Sequence, residues 1–136
     1  MALSVSQISF GNNRFVISNP DSDSTVKETY DGKVRTKRVV MDSHQRIVDS
    51  VNFDNLGRKV SHLHKFYTDN GYIETYKDFN QEYSREVKTT IVNAQKIITE
   101  NFRSITSPSK SYIAKFVRNL EDKLVMIVIN DKVIKI

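Results

Sequence analysis

The chain contains no cysteine and no tryptophan, only 2 prolines and 4 glycines, and no long apolar run. The missing cysteines exclude disulfides and thiolate metal sites, and they fit a cytoplasmic protein. Four glycines are too few for a phosphate-cradling loop, and each sits at a turn signal. The longest apolar run, residues 124–129, is far too short to span a bilayer as a helix. Met1-Ala2-Leu3-Ser4-Val5-Ser6 lacks the basic and apolar parts of a secretory leader, so the sequence reads as soluble and intracellular. No nucleophile elbow surrounds Ser104, Ser107, Ser109 or Ser111. The pairs Asp21/Asp23 and Glu121/Asp122 fall in expected loops with no cleft between carboxylates. Nothing in the pattern calls for a cofactor.

What is present is regular. The 136 residues suit one domain, or one domain and part of another, with 38% hydrophobic and 27% charged residues. Turn clusters recur at roughly twelve-residue intervals. They are Asp31-Gly32, Asp42-Ser43-His44-Gln45, Asp54-Asn55-Leu56-Gly57, Asp69-Asn70-Gly71, Asp78-Phe79-Asn80-Gln81 and Asn93-Ala94-Gln95. Asp and Asn bond their own backbone, and Gly supplies positive φ. Between the clusters lie segments rich in Val, Ile, Tyr, Phe and Thr: residues 34–41, 46–53, 58–67, 72–79, 83–92 and 96–103. Further strands are expected at 14–18 and 25–30, with a loop at 19–24.

The pattern predicts a mainly β fold: an antiparallel β-meander of repeated hairpins, followed by a short α-helix and one buried strand. The helix is read from Ser107-Pro108 as a start signal and from Ile113, Phe116, Val117 and Leu120 at i, i+3, i+4 and i+7. Leu124-Val125-Met126-Ile127-Val128-Ile129 then reads as a strand buried on both faces, as in a parallel sheet. The organisation is therefore residues 1–30 as N-terminal strands and loop, 31–104 as the hairpin sheet, and 105–136 as a piece of an α/β domain.

Twenty-one Lys and Arg against sixteen Asp and Glu give net +5, which favours polyanionic partners. Lys33, Arg35, Lys37, Arg38, Arg46, Arg58, Lys59 and Lys65 cluster on neighbouring strands near Tyr67, Tyr72 and Tyr76, as a basic, aromatic-lined sheet face would require. The competing reading is a solvated face, since exposed strands carry Lys against edge pairing. His62-x-His64 has metal-ligand spacing on one strand face, but a structural or exposed pair is the default. Val51, Phe53, Leu63, Phe66, Tyr67, Ile73 and Tyr76 spread over both faces of the meander. That spread favours a homo-oligomer, or a docked partner, through the sheet.

The hairpins carry a loose motif, aromatic-Asp-x-x-Gly-Arg-x-Val, seen in full at Phe53-Asp54-Asn55-Leu56-Gly57-Arg58-Lys59-Val60. Echoes stand at Tyr30-Asp31-Gly32-Lys33-Val34 and Tyr67-Thr68-Asp69-Asn70-Gly71. With these motifs the stretch from residue 14 to 130 resembles the extended β-sheet add-on of bacterial retaining glycosyltransferases. That group comprises poly(glycerol-phosphate) α-glucosyltransferases, wall-teichoic-acid glycosyltransferases and enzymes that glycosylate serine-rich adhesins. The resemblance implies a non-catalytic accessory role: joining subunits, or holding a partner glycosyltransferase or a polyanionic glycopolymer acceptor. It supplies no catalytic residue, because the family's nucleotide-sugar site lies outside the add-on. The turn at 42–45 departs from the motif by lacking Gly. The same motif is similar to the tyrosine-aspartate repeats of secreted shell-forming proteins, which the expected terminal helix and apolar strand fit poorly. A free-standing nucleic-acid-binding sheet needs only the basic face.

Overall fold

A computed structural model describes residues 5–21 and 23–136. Met1 to Ser4, on which part of the leader reading rests, and Ser22, within the expected loop, lie outside the described residues. The mainly β expectation holds. The strands are β1 (Val5–Phe10), β2 (Asn13–Asp21), β3 (Ser24–Asp31), β4 (Val34–Asp42), β5 (Ile47–Phe53), β6 (Lys59–Thr68), β7 (Gly71–Asp78), β8 (Glu82–Val92), β9 (Gln95–Ser104), β10 (Tyr112–Arg118), β11 (Leu124–Ile129) and β12 (Lys132–Lys135). Their order in the sheet is their order in the chain. Such a meander needs only tight turns, and the sequence places turn residues where they are required.

The expected α-helix is absent. A 3-10 turn at Pro108–Lys110 is followed by the strand β10. Ser107 makes no side-chain cap, and Ser111 returns to extended backbone at φ −67° and ψ 145°. The apolar spacing that suggested a helix also fits a strand, in which Tyr112, Ala114 and Phe116 share one face and Ile113 and Val117 the other. Aromatic and β-branched residues favour that outcome. Ala114 and Val117 are buried on opposite faces, whereas Leu120 is 83% exposed beyond the strand. The apolar strand β11 is antiparallel to both β10 and β12, and its residues are half-buried or exposed, not fully buried. Its two neighbours pair with it edge to edge and do not cover its faces. Part of the expected loop at 19–24 is instead strand: β2 continues through Pro20 to Asp21, with a register irregularity between Ser18 and Asp21. A bulge tolerates the proline's missing donor.

Three hairpin turns share one chemistry. In Asp42–Arg46, Oδ1 of Asp42 accepts the N–H groups of His44 (2.9 Å) and Arg46 (3.0 Å), and Oδ2 pairs with Nε of Arg46 at 2.8 Å. Asp54 repeats this with Leu56 (2.9 Å), Arg58 (2.9 Å) and Nε of Arg58 at 2.8 Å. Asn119 repeats the backbone part with Glu121 (3.0 Å) and Lys123 (3.1 Å). The fourth residue of each turn is left-handed: Gln45 at φ 63°, Gly57 at 77° and Asp122 at 60°. The turn at 42–45 therefore follows the pattern without glycine. Asn93-Ala94 and Asn130-Asp131 have positive φ at both positions, the geometry that matches the strand twist in two-residue hairpins.

By contacts the chain divides into two units. The first runs to Lys65 and includes Tyr76–Phe79; the second comprises Phe66–Thr75 and Asn80–Ile136. Among the described residues, β1 to β5 of the first unit touch only their sheet neighbours, and in the second β8 to β12 do the same except that β9 also touches the 3-10 turn at Pro108–Lys110. Among the described residues, no second layer of helices or strands therefore contributes to the core. Among the described residues, the buried apolar side chains are Val26 and Val51 in the first unit and Ala114 and Val117 in the second.

Candidate binding faces

In the first unit, cross-strand register brings Arg14 of β2, Tyr30 of β3 and Arg35 of β4 into one row. The Arg14 guanidinium lies 4.4 Å from the Tyr30 ring centroid, and Arg35 lies 4.6 Å from that of Phe53 on β5. Arg35 also pairs with Glu28 at 2.8 Å, and the Tyr30 hydroxyl donates to the same carboxylate at 3.4 Å. The result is an alternation of cation and ring across four strands. Nε of Arg14 is buried without a hydrogen-bond partner, while its guanidinium carbon lies over the Tyr30 ring.

Arg38 stands on the same face, opposite Glu28 on one side and Val51 on the other. Further along, Asp49 meets Nε2 of His62 at 2.6 Å and Nδ1 of His64 at 3.3 Å. Both imidazoles thus share one carboxylate oxygen. Among the described residues, no group of three or more His, Asp or Glu side chains is arranged to hold a metal ion.

The eight basic residues singled out from the sequence do not share a face. Arg35 and Arg38 belong to the arginine row. Lys37 lies on the opposite face, paired in register with Thr29 and Asn52. Lys65, in step with Ser61 and Leu63 along β6, shares that opposite face, where Lys27 sits 5.2 Å from the Phe15 ring. Lys33 is in the β3–β4 turn, and Lys59 opens β6 opposite Phe53. Arg46 and Arg58 fold back onto Asp42 and Asp54 in their turns. Those two contacts hold both carboxyls below the usual carboxylate range. The largest cause is the backbone N–H of the arginine, with the guanidinium adding to it.

The residues expected to mediate assembly also separate. Val51 is buried at 5% exposure and Phe53 lies beneath Arg35, whereas Phe66 is 62% exposed and Ile73 36%. Leu63 is half-buried. Tyr67 and Tyr72 have ring centroids 6.2 Å apart. The Tyr76 hydroxyl donates to Asp78 at 2.7 Å, and that bond raises its pKa.

The second unit holds a tighter cluster that the sequence reading missed. Arg85 of β8 reaches Glu74 at 3.1 Å, and its Nε lies 2.7 Å from Glu100, a close ion contact without hydrogen-bond alignment. Tyr83 donates to Glu74 at 3.0 Å and Tyr112 to Glu100 at 2.9 Å. Phe102 lies between the two tyrosines, 5.2 Å from Tyr83 and 5.1 Å from Tyr112. Desolvation opposes the charge on Arg85, yet Glu100 and Glu74 outweigh it and raise its pKa. Burial, then the bond to Glu100, raises that of Tyr112. No local spacing announces this cluster: residues 74, 85, 100 and 112 meet only through register. Beside it, Phe102, Ser104, Pro108, Tyr112 and Asn130 help line an open depression of about 630 Å³.

Among the described residues, no helix is long and apolar enough to cross a membrane. Comparison with known proteins finds no matching family model, no matching curated protein and no matching solved structure.

Proposed function

We propose that this chain is a non-catalytic assembly and binding module, and that its biological setting is a bacterial glycosyltransferase whose chemistry is done by another polypeptide segment. One observation carries the reading: among the described residues the strands of each unit pack almost entirely against sheet neighbours, leaving exposed apolar side chains such as Phe66 and Ile73. An uncovered two-sided sheet buries little apolar area and gains by docking. The hairpin motif at Phe53-Asp54-Asn55-Leu56-Gly57-Arg58-Lys59-Val60, on which that resemblance rests, supports the glycosyltransferase setting.

Light scattering on the purified chain at high micromolar concentration is expected to show an oligomer. The double variant Phe66→Asp, Ile73→Asp is expected to be monomeric with unchanged circular dichroism. A strict monomer in the parent, or an unchanged oligomer in the variant, would count against assembly through this surface. Glycosyl transfer from a UDP-sugar by the 136 residues alone would overturn the accessory role.

A further inference from the structure

We infer that the arginine face of the first unit is a binding site for a phosphodiester polymer, with Arg14, Arg35 and Arg38 as the phosphate contacts. This deepens the binding-module reading by naming a ligand class, but its test does not depend on oligomeric state.

The argument starts from register. Arg14 and Arg35 face the same residue, Tyr30, from β2 and β4. Adjacent strands lie about 4.8 Å apart, so their Cα atoms are roughly 10 Å apart. Arg38 follows Arg35 by three residues on β4 and is therefore also roughly 10 Å away. Such spacing is wide for three guanidiniums to converge on one phosphate. It suits separate phosphates of a flexible chain that crosses from β2 to β4 over Arg14 and Arg35 and then turns along β4 to Arg38.

The rings hold two of the guanidiniums in place. Tyr30 and Phe53 hold Arg14 and Arg35 stacked, which limits the rotamer freedom lost when a ligand binds. A planar guanidinium presents N–H groups in its own plane, the geometry that phosphate oxygens accept in pairs. Glu28 takes up part of this capacity through Arg35. Arg38 makes no ion pair among the described residues; Nε of Arg14 is buried, so the phosphate contact falls to its terminal nitrogens. The lysines of the opposite face, Lys27 and Lys37, serve as an internal control, because they share the charge but not the arginine row.

Fluorescence anisotropy on the full chain tests the assignment. The probes are a labelled single-stranded thymidine oligonucleotide and a labelled poly(glycerol phosphate) chain. At least one is expected to bind at 50 mM salt. Three phosphate contacts on a flexible single strand give a slope of about −2 in log K against log salt, or roughly a 20-fold loss between 50 and 200 mM. The variant Arg14→Gln, Arg38→Gln, which leaves one contact, is expected to flatten that slope to about −0.7 and weaken binding at least tenfold. Lys27→Gln, Lys37→Gln is expected to leave both unchanged. Arg38→Gln alone, expected to weaken binding several-fold, keeps the test decisive if the double arginine variant fails to fold. Tighter binding of the oligonucleotide identifies nucleic acid as the source of the phosphates, and tighter binding of the glycerol polymer identifies a wall polymer. The assignment is overturned if neither probe binds, if the lysine variant carries the loss, or if poly-glutamate competes as well as unlabelled phosphodiester.

Discussion

The two units meet the same problem, a sheet without a covering layer, with different electrostatics. The first distributes its arginines along the surface, one over each ring, and the Arg35–Glu28 pair remains in contact with water at 40% and 21% side-chain exposure. The second draws a single arginine inward between two carboxylates. Arg85 is 29% exposed, Glu100 19% and Glu74 8%. Exposed pairs are screened and contribute little, whereas a desolvated charge without its partner is costly. The first unit should therefore tolerate loss of any one charge and keep its arginines available. The second should be brittle, because its polar cluster substitutes for part of the missing core.

The largest effect is expected at Gly71 in the second unit. A Cβ there would run into the carbonyl oxygen of Val87, a backbone atom that cannot rotate away. Gly71→Ala should cost about 3 kcal/mol or more, at the top of the overpacking range. Gly57 in the first unit has open space around its Cβ position and is constrained only by φ of 77°. Gly57→Ala should cost only about 1 kcal/mol, the scale of a residue forced to positive φ. Urea denaturation of both variants measures the difference, and equal losses would remove the contrast in packing between the units.

Next in size is the arginine comparison. Arg85→Ala leaves Glu74 and Glu100 facing each other and should cost about 3 kcal/mol, the low end for a broken buried pair because Arg85 keeps some exposure. Arg35→Ala removes a screened ion pair and one cation–ring contact, together about 1 kcal/mol. Reversal of that order in denaturant midpoints would mean that the surface row, and not the inward cluster, holds its sheet together.

The architecture was legible because turn residues and strand residues carry local signals. Asp54-Asn55-Leu56-Gly57-Arg58 announces its own hairpin, and the same chemistry recurs at Asp42 and Asn119. The end of the chain was misread because Ile113, Phe116 and Val117 satisfy a helical stripe and a strand alternation equally well. With Ala114 counted among the apolar positions, the alternation accounts for burial on both faces. The faces themselves were the least legible. Side chains swap faces with each one-residue change of register, and bulges such as that between Thr29 and Tyr30 reset the count. For that reason Arg35 and Arg38, three residues apart and so on opposite faces were the strand unbroken, share one face, and Arg14 joins them through Tyr30.

The smallest expected effect concerns acid. Asp42 and Asp54 titrate below the ordinary carboxylate value because each ionised oxygen accepts backbone N–H groups and meets an arginine. A carboxyl depressed by folding contributes stability above its unfolded pKa of about 3.9. That contribution fades as pH falls through the lower folded value. Both turns lie in the first unit. The equivalent turn in the second is built on Asn119, whose amide oxygen accepts the same two N–H groups without titrating at its first position. The double variant Asp42→Asn, Asp54→Asn imitates that turn. It should be slightly less stable than the parent at pH 7, because the arginine pairing is gone, and the gap should be narrower at about pH 3, below the unfolded pKa, where the carboxylate contribution has begun to fade. Urea midpoints of parent and variant at both pH values measure this. A gap of the same size at both would show that the carboxylate charge contributes nothing to these turns beyond its oxygen acceptors.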